Sequence, residues 1–214
     1  MITQKEYRKL TTPRAAAIAG ILFALLFATS ITLLRIAVPQ GLTIEVDWLE
    51  RGAAKITLAI GLMPFAGIAF LWFIGVVRDR LGEYEDRLFS TVFFGSSLLF
   101  LAMVFVAMAI AGSILAVGRI DAQTSLSNEI IYFGRALMLQ VSNVYALRMA
   151  GVSMISLATI WWRTGLMPRW LVMVTYLLAL ALLVIINLNL WVALIFPAWV
   201  FVISVFKLVT TEPN

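Results

Sequence analysis

LFSTVFFGSSLLFLAMVFVAMAIAGSILAV, residues 88–117, carries no charged side chain and no proline across 30 positions. The hydrocarbon core of a bilayer takes about 20 helical residues. The run is therefore read as a membrane-spanning helix. It exceeds one upright crossing, so it must tilt or protrude.

Working outward from this stretch, five more apolar runs come into view. They are Ala15–Leu34, running on to Val38; Ile56–Val77; a run within Ile130–Trp162; Trp170–Ile186; and Leu190–Phe206. The first is too long for a signal-peptide core and lacks a small-x-small cleavage site, so it is kept as a span. Pro39-Gln40-Gly41 stops it. Asn187-Leu188-Asn189 leaves almost no loop between the last two runs, which predicts a tight antiparallel hairpin. The expected fold is all-α, a single transmembrane domain over residues 1–214. Its spans are placed at about 15–38, 56–77, 88–117, 130–162, 170–186 and 190–206.

Composition agrees. Of 214 residues, 63% are hydrophobic and 13% charged, and mean hydropathy is +1.01. A soluble domain is about half apolar and about a quarter charged. The chain has no Cys and no His. That excludes disulfides, thiolate nucleophiles, His-ligated zinc or haem, and Ser-His or Cys-His relays. No Asp or Glu lies deep in a span, which argues against a proton relay. No catalytic residue, metal ligand or cofactor is therefore expected, and the chain is not read as an enzyme.

The net charge is +5. The basic residues stand singly at span ends, which fits orientation in a membrane and not nucleic-acid binding. With the N-terminus inside, ten cations fall on the inner face: Lys5, Arg8, Lys9, Arg14, Arg78, Arg80, Arg87, Arg163, Arg169 and Lys207. Four fall outside: Arg35, Arg51, Lys55 and Arg119. Both termini are thus expected to be cytoplasmic, in a multi-pass protein of the inner membrane. Trp72, Trp161, Trp162 and Trp170 mark the inner boundary, and Trp48 and Trp191 the outer one. Trp199 falls mid-span and is read as packing.

The polar residues inside the membrane carry the functional question. An Arg within a span costs several kcal/mol and normally faces protein or water. At about 100° per residue, Tyr145, Arg148, Val152, Ser156, Thr159 and Arg163 fall within about 80° of one another. This makes a polar stripe on the fourth span, with Gln140 and Asn143 on other faces. Two readings stand. In one, Arg148, with Tyr145, Ser156 and Thr159, contacts an anionic small molecule or lipid headgroup. In the other, Arg148 snorkels outward or pairs with Glu129, Asp121, Glu50 or Asp47. Arg135 lies in the same apolar region, at a depth the sequence leaves open.

Gly61, Pro64 and Gly67 mark the second span. Pro64 removes a helical hydrogen bond, so a kink, and with it a hinge, is expected there. Pro197 reads the same way more weakly. On the third span Ala107-x3-Ala111, Ala109-x3-Ser113 and Gly112-x3-Ala116 would let helices approach closely, within a protomer or between the two copies of a dimer. In the inner loop, Asp79, Glu83 and Asp86 share a helical face, the spacing some membrane transferases use for Mg²⁺. Three interleaved Arg favour a solvated, self-neutralised loop instead. The outer segment Leu42–Leu49 alternates apolar and polar residues, suggesting an extended or interfacial element. Glu45, Asp47 and Glu50 there would face Arg35, Lys55, Arg119 and Arg135 in a charge network.

Two resemblances follow from these residues. Gly75-x3-Asp79-Arg80-x-Gly82 resembles the G-x3-D-R-x-G loop of major facilitator transporters. Glu83 and Tyr84 replace the basic pair that follows there, and six spans stand in place of twelve. More of the chain, about residues 15–206, resembles a family of small, uncharacterised bacterial six-span integral membrane proteins. Pro64 through Gly82 with Glu85-Asp86-Arg87, and Arg148 through Trp170, carry this likeness. It implies a bacterial cytoplasmic membrane and brings no activity, substrate or site residue. The sequence leaves two functions in view: a transport or permeation component lined by the fourth span, or a non-catalytic scaffold or accessory subunit with a structural Arg148.

Overall fold

The computed structural model describes residues 13–38, 47–81, 87–120, 125–184 and 190–210. Among these residues the chain is helical throughout, broken only by short turns. Helix α1 spans Pro13–Ala37, α2 Asp47–Leu81, α3 Arg87–Ile120 and α4 Ser125–Leu139. A π-helical segment, Gln140–Ala146, joins α4 directly to α5, Leu147–Thr164. Helix α6 covers Arg169–Val184, and a 3₁₀ turn at Leu190–Leu194 leads into α7, Ile195–Thr210. Five of these continuous helical stretches are long and apolar enough to cross a membrane, and α6 is a shorter apolar helix.

Local chemistry explains the boundaries. Pro13 opens α1, where its missing N–H would have been unsatisfied anyway. Gly165 closes α5 in the left-handed region, φ 68°, and its N–H donates to the Trp161 carbonyl at 2.9 Å. Only glycine takes that conformation without cost. Helices α2 and α3 have 35 and 34 residues. At about 1.5 Å per residue each is roughly 50 Å long, well beyond the apolar slab of about 30 Å. Both must tilt or project, as the 88–117 run alone requires.

The second helix corrects one expectation. It begins at Asp47, so Trp48, Leu49 and Glu50 form its first turn and not an extended cap. Residues 42–46 lie outside the described residues, as do Asn187-Leu188-Asn189 and the inner-loop Glu83 and Asp86. Pro64 sits within α2, which continues helical on both sides of it.

The helices are neighbours in the order α7, α1, α2, α3, α5, α6. The Trp199 indole N–H of α7 donates to Thr175 Oγ1 of α6 at 2.9 Å and returns the order to its start. Helices α1 and α2 run antiparallel, with Ser30 Oγ donating to the Ala59 carbonyl at 2.7 Å. A phenylalanine cluster fills the space between α1, α2, α3 and α7. Phe23 and Phe70 stand 4.5 Å apart by ring centroid, and Phe100 and Phe196 4.6 Å, with Phe27 against Phe100. All five rings are buried. Within a bilayer such contacts stabilise by close packing, since lipid tails are as apolar as the rings.

Small residues set the closest approaches. A Cβ on Gly151 of α5 would stand 3.1 Å from the Ala179 carbonyl oxygen of α6. Ala107 and Ala111 of α3 are buried inside the protomer, whereas Ala109, Ser113 and Ala116 face outward. Trp199 is buried as expected. Trp161 is buried within the bundle: it is 6% exposed and packs on Trp199 at 6.1 Å, while its neighbour Trp162 is 55% exposed.

Candidate functional site on the fourth span

Helix α4, the π segment and α5 form one continuous element, so the predicted polar stripe can be followed residue by residue. From Leu147 onward the helix is α and the stripe keeps its phase. Before that, seven π-helical residues turn more slowly per residue than an α-helix. The uniform 100° projection therefore fails across Gln140–Ala146.

Tyr145, at the end of the π segment, is 58% exposed. Arg148 is half-buried, and its Nη1 donates to the Val144 carbonyl at 3.1 Å, one turn back on its own helix. Among the described residues no carboxylate reaches it. Ser156 is buried and donates to the Val152 carbonyl at 2.9 Å. Thr159 donates to the Ile155 carbonyl at 2.8 Å. Its oxygen also lies 2.8 Å from the Tyr176 hydroxyl of α6. Either hydroxyl can be the donor in that pair. Arg163 is exposed, with its guanidinium 5.2 Å from the Phe89 ring of α3. The stripe thus shares a helix face, but its side chains do not converge on one point.

The proposed hinge residues divide in the same way. A Cβ on Gly67 would collide with Phe105 and Leu101 of α3, so this glycine is a packing contact. Gly61 has open space around its Cα, and Pro64 is exposed.

Two deeper polar residues lie on the same element. Arg135 of α4 is 6% exposed. It lines a cavity of about 10 Å³ together with Leu34, Val38, Trp48, Ile56 and Ala111. That is room for about one water molecule. Its position is legible from spacing: Ile131 and Met138, four before and three after, are both buried. Asn143 of the π segment is 3% exposed, and among the described residues its Nδ2 has no hydrogen-bond partner. Its Oδ1 receives a long bond of 3.4 Å from Ser142 Oγ. No sequence signature marks a π segment, so its effect on Asn143 could not be read in advance.

The expected outer charge network is described in part. Arg35 lies 5.5 Å from the Trp191 ring, and Glu50 and Lys55 are exposed. Glu45 and the side chains of Asp47 and Arg119 fall outside the described residues.

Comparison with known families, curated proteins and solved structures yields no match.

Proposed function

We propose that this chain is a six-span component of a bacterial inner membrane, with both termini cytoplasmic, acting as a non-catalytic scaffold or accessory subunit. The observation that carries this reading is the state of the stripe. The hydroxyls of Ser156 and Thr159 and the Nη1 of Arg148 are all bonded to carbonyls of their own helix. A path for a polar solute needs such groups turned toward water. The buried phenylalanine cluster between α1, α2, α3 and α7 supports the same reading, because it fills that part of the bundle with rings. The excess of cations on one side, ten against four, supports the orientation.

Asn143 favours a second reading. Its buried amide nitrogen has no partner among the described residues and lies in a π segment, a feature often found at functional sites. On that reading the chain is a transport component and the π segment its moving part.

Reconstitution decides between them. Vesicles holding the purified chain are loaded with chloride or inorganic phosphate, and efflux is compared with empty vesicles. A scaffold gives equal rates. Efflux above that of empty vesicles, lowered by Arg148→Gln or Asn143→Leu, would establish transport and end the scaffold reading.

A further inference from the structure

Arg148 uses one donor on its own helix, the Nη1 bond to the Val144 carbonyl at 3.1 Å. A guanidinium has five N–H donors. Among the described residues no other hydrogen bond and no carboxylate meets this one. The bond also fixes a direction. Val144 lies one turn back toward α4, so the side chain climbs that way and not toward Trp162. The backbone is right-handed α at Ala146 and Leu147, so Tyr145, three residues before Arg148, shares its face. Tyr145 is 58% exposed, so this face opens away from the bundle and not into its packed interior.

Depth follows from the same helix. Trp162, fourteen residues on, is 55% exposed, and exposed indoles sit at headgroup level. At about 1.5 Å per residue, Arg148 lies about 21 Å from that boundary. The apolar slab is about 30 Å thick, so the Arg148 Cα stands about 9 Å inside the opposite boundary. A long cationic side chain pointing outward covers most of that distance, and local thinning of the bilayer closes the rest. A guanidinium with open donors at this depth costs several kcal/mol unless water or an anion reaches it.

We infer that Arg148 and Tyr145 hold the phosphate of an anionic phospholipid from the leaflet at the α4 end of the fourth span. The open guanidinium N–H groups donate to the phosphate oxygens, as does the Tyr145 hydroxyl. The acyl chains then lie along the start of α5. The inference rests on the chain being embedded in a bilayer and needs no decision between scaffold and transporter. A zwitterionic lipid carries its own ammonium, which Arg148 repels, so the site discriminates by headgroup charge. A soluble phosphate ester meets the same donors but has no chains to lie along the helix.

The chain has no cysteine, so one introduced thiol carries a bimane label without background. Val152→Cys places the label one turn beyond Arg148 on the same face, and Leu177→Cys places it on the outward face of α6, 66% exposed. Each labelled chain is reconstituted in vesicles with acyl-brominated phosphatidylglycerol or phosphatidylcholine. At Val152→Cys, phosphatidylglycerol should quench about fivefold more effectively, the worth of one cation at a membrane surface. Arg148→Gln should abolish that preference at Val152→Cys and leave quenching at Leu177→Cys unchanged. Equal quenching by the two lipids at Val152→Cys, with Arg148 in place, would overturn the inference without any further variant. A preference that survives Arg148→Gln would overturn it too. Displacement of the lipid by soluble glycerol phosphate would do the same, by making the site one for a free anion. Absence of quenching by either lipid at both labels would overturn it together with the membrane reading on which it rests.

Discussion

Trp199 of α7 donates its indole N–H to Thr175 of α6 at 2.9 Å, and Thr175 passes its own proton to the Leu171 carbonyl at 2.8 Å. Both residues are buried. Helix α6 has only 16 residues, about 24 Å at 1.5 Å per residue, so lipid contact alone anchors it poorly. The Trp199 bond and the Tyr176–Thr159 bond tie it to α7 and α5. Thr175→Val keeps the shape and removes the acceptor, leaving a buried indole N–H without a partner. The expected loss is about 1 kcal/mol, in the range found for polar contacts between membrane helices. Thr175→Ser should restore most of it. Unfolding in mixed micelles measures both; a Val variant as stable as the parent would show the bond to be without consequence.

The same region shows what the sequence can and cannot disclose. The 88–117 run declares a helix longer than one crossing, and α3 has 34 residues. Hydropathy sees such a run directly, because burial in lipid demands it at every position. That Trp161 is buried is not legible from its place near a helix end: tryptophan there can face lipid or pack inward, and the partner that covers it, Trp199, is 38 residues away. Arg148 stands out as an Arg inside a span, yet Arg135 is the more buried of the two. The spacing of Ile131, Arg135 and Met138 on one face already contains that result. It does not contain the π segment, since a change from one helical hydrogen-bond register to the next leaves no compositional trace.

Two glycines should respond in opposite directions. Gly151 faces the Ala179 carbonyl oxygen, a backbone atom that cannot turn aside. Gly151→Val therefore forces α5 and α6 apart, at an expected cost of about 1–3 kcal/mol. A methyl group on Gly61 would have nothing within 4 Å. Gly61→Ala removes backbone freedom from the unfolded chain and should stabilise by up to about 1 kcal/mol. Thermal unfolding in one detergent compares the pair. A destabilised Gly61→Ala would mean that this part of α2 has a neighbour, such as a second copy of the chain.

The two arginines of the fourth span also separate. Arg135 is enclosed beside its small cavity, so Arg135→Ala enlarges an existing void and removes a buried side chain. A loss of roughly 2 kcal/mol or more is expected. Arg148 is half-buried and bonds to its own helix, so Arg148→Gln should change stability by less than about 0.5 kcal/mol. Chemical unfolding of both variants in micelles gives the comparison. Equal losses, or a larger one at Arg148, would mean that Arg148 holds the bundle together and that its bond to Val144 is incidental.

Orientation can be read directly, because the chain has no cysteine and any introduced thiol labels without background. Glu50 is exposed at the start of α2, and Arg14 is exposed at the start of α1, at the other end of the antiparallel pair. On the proposed orientation, which the excess of ten cations against four supports, Arg14 lies inside and Glu50 outside. In intact bacterial cells stripped of their outer membrane, a membrane-impermeant maleimide should modify Glu50→Cys and spare Arg14→Cys and Thr211→Cys. After lysis all three should label. Six crossings require Arg14 and Thr211 to share a side, whichever side that is. Five would split them, so that Thr211→Cys would label from outside while Arg14→Cys did not. That result would remove α6 from the set of spans and leave it as a short helix packed within the bundle or along its surface.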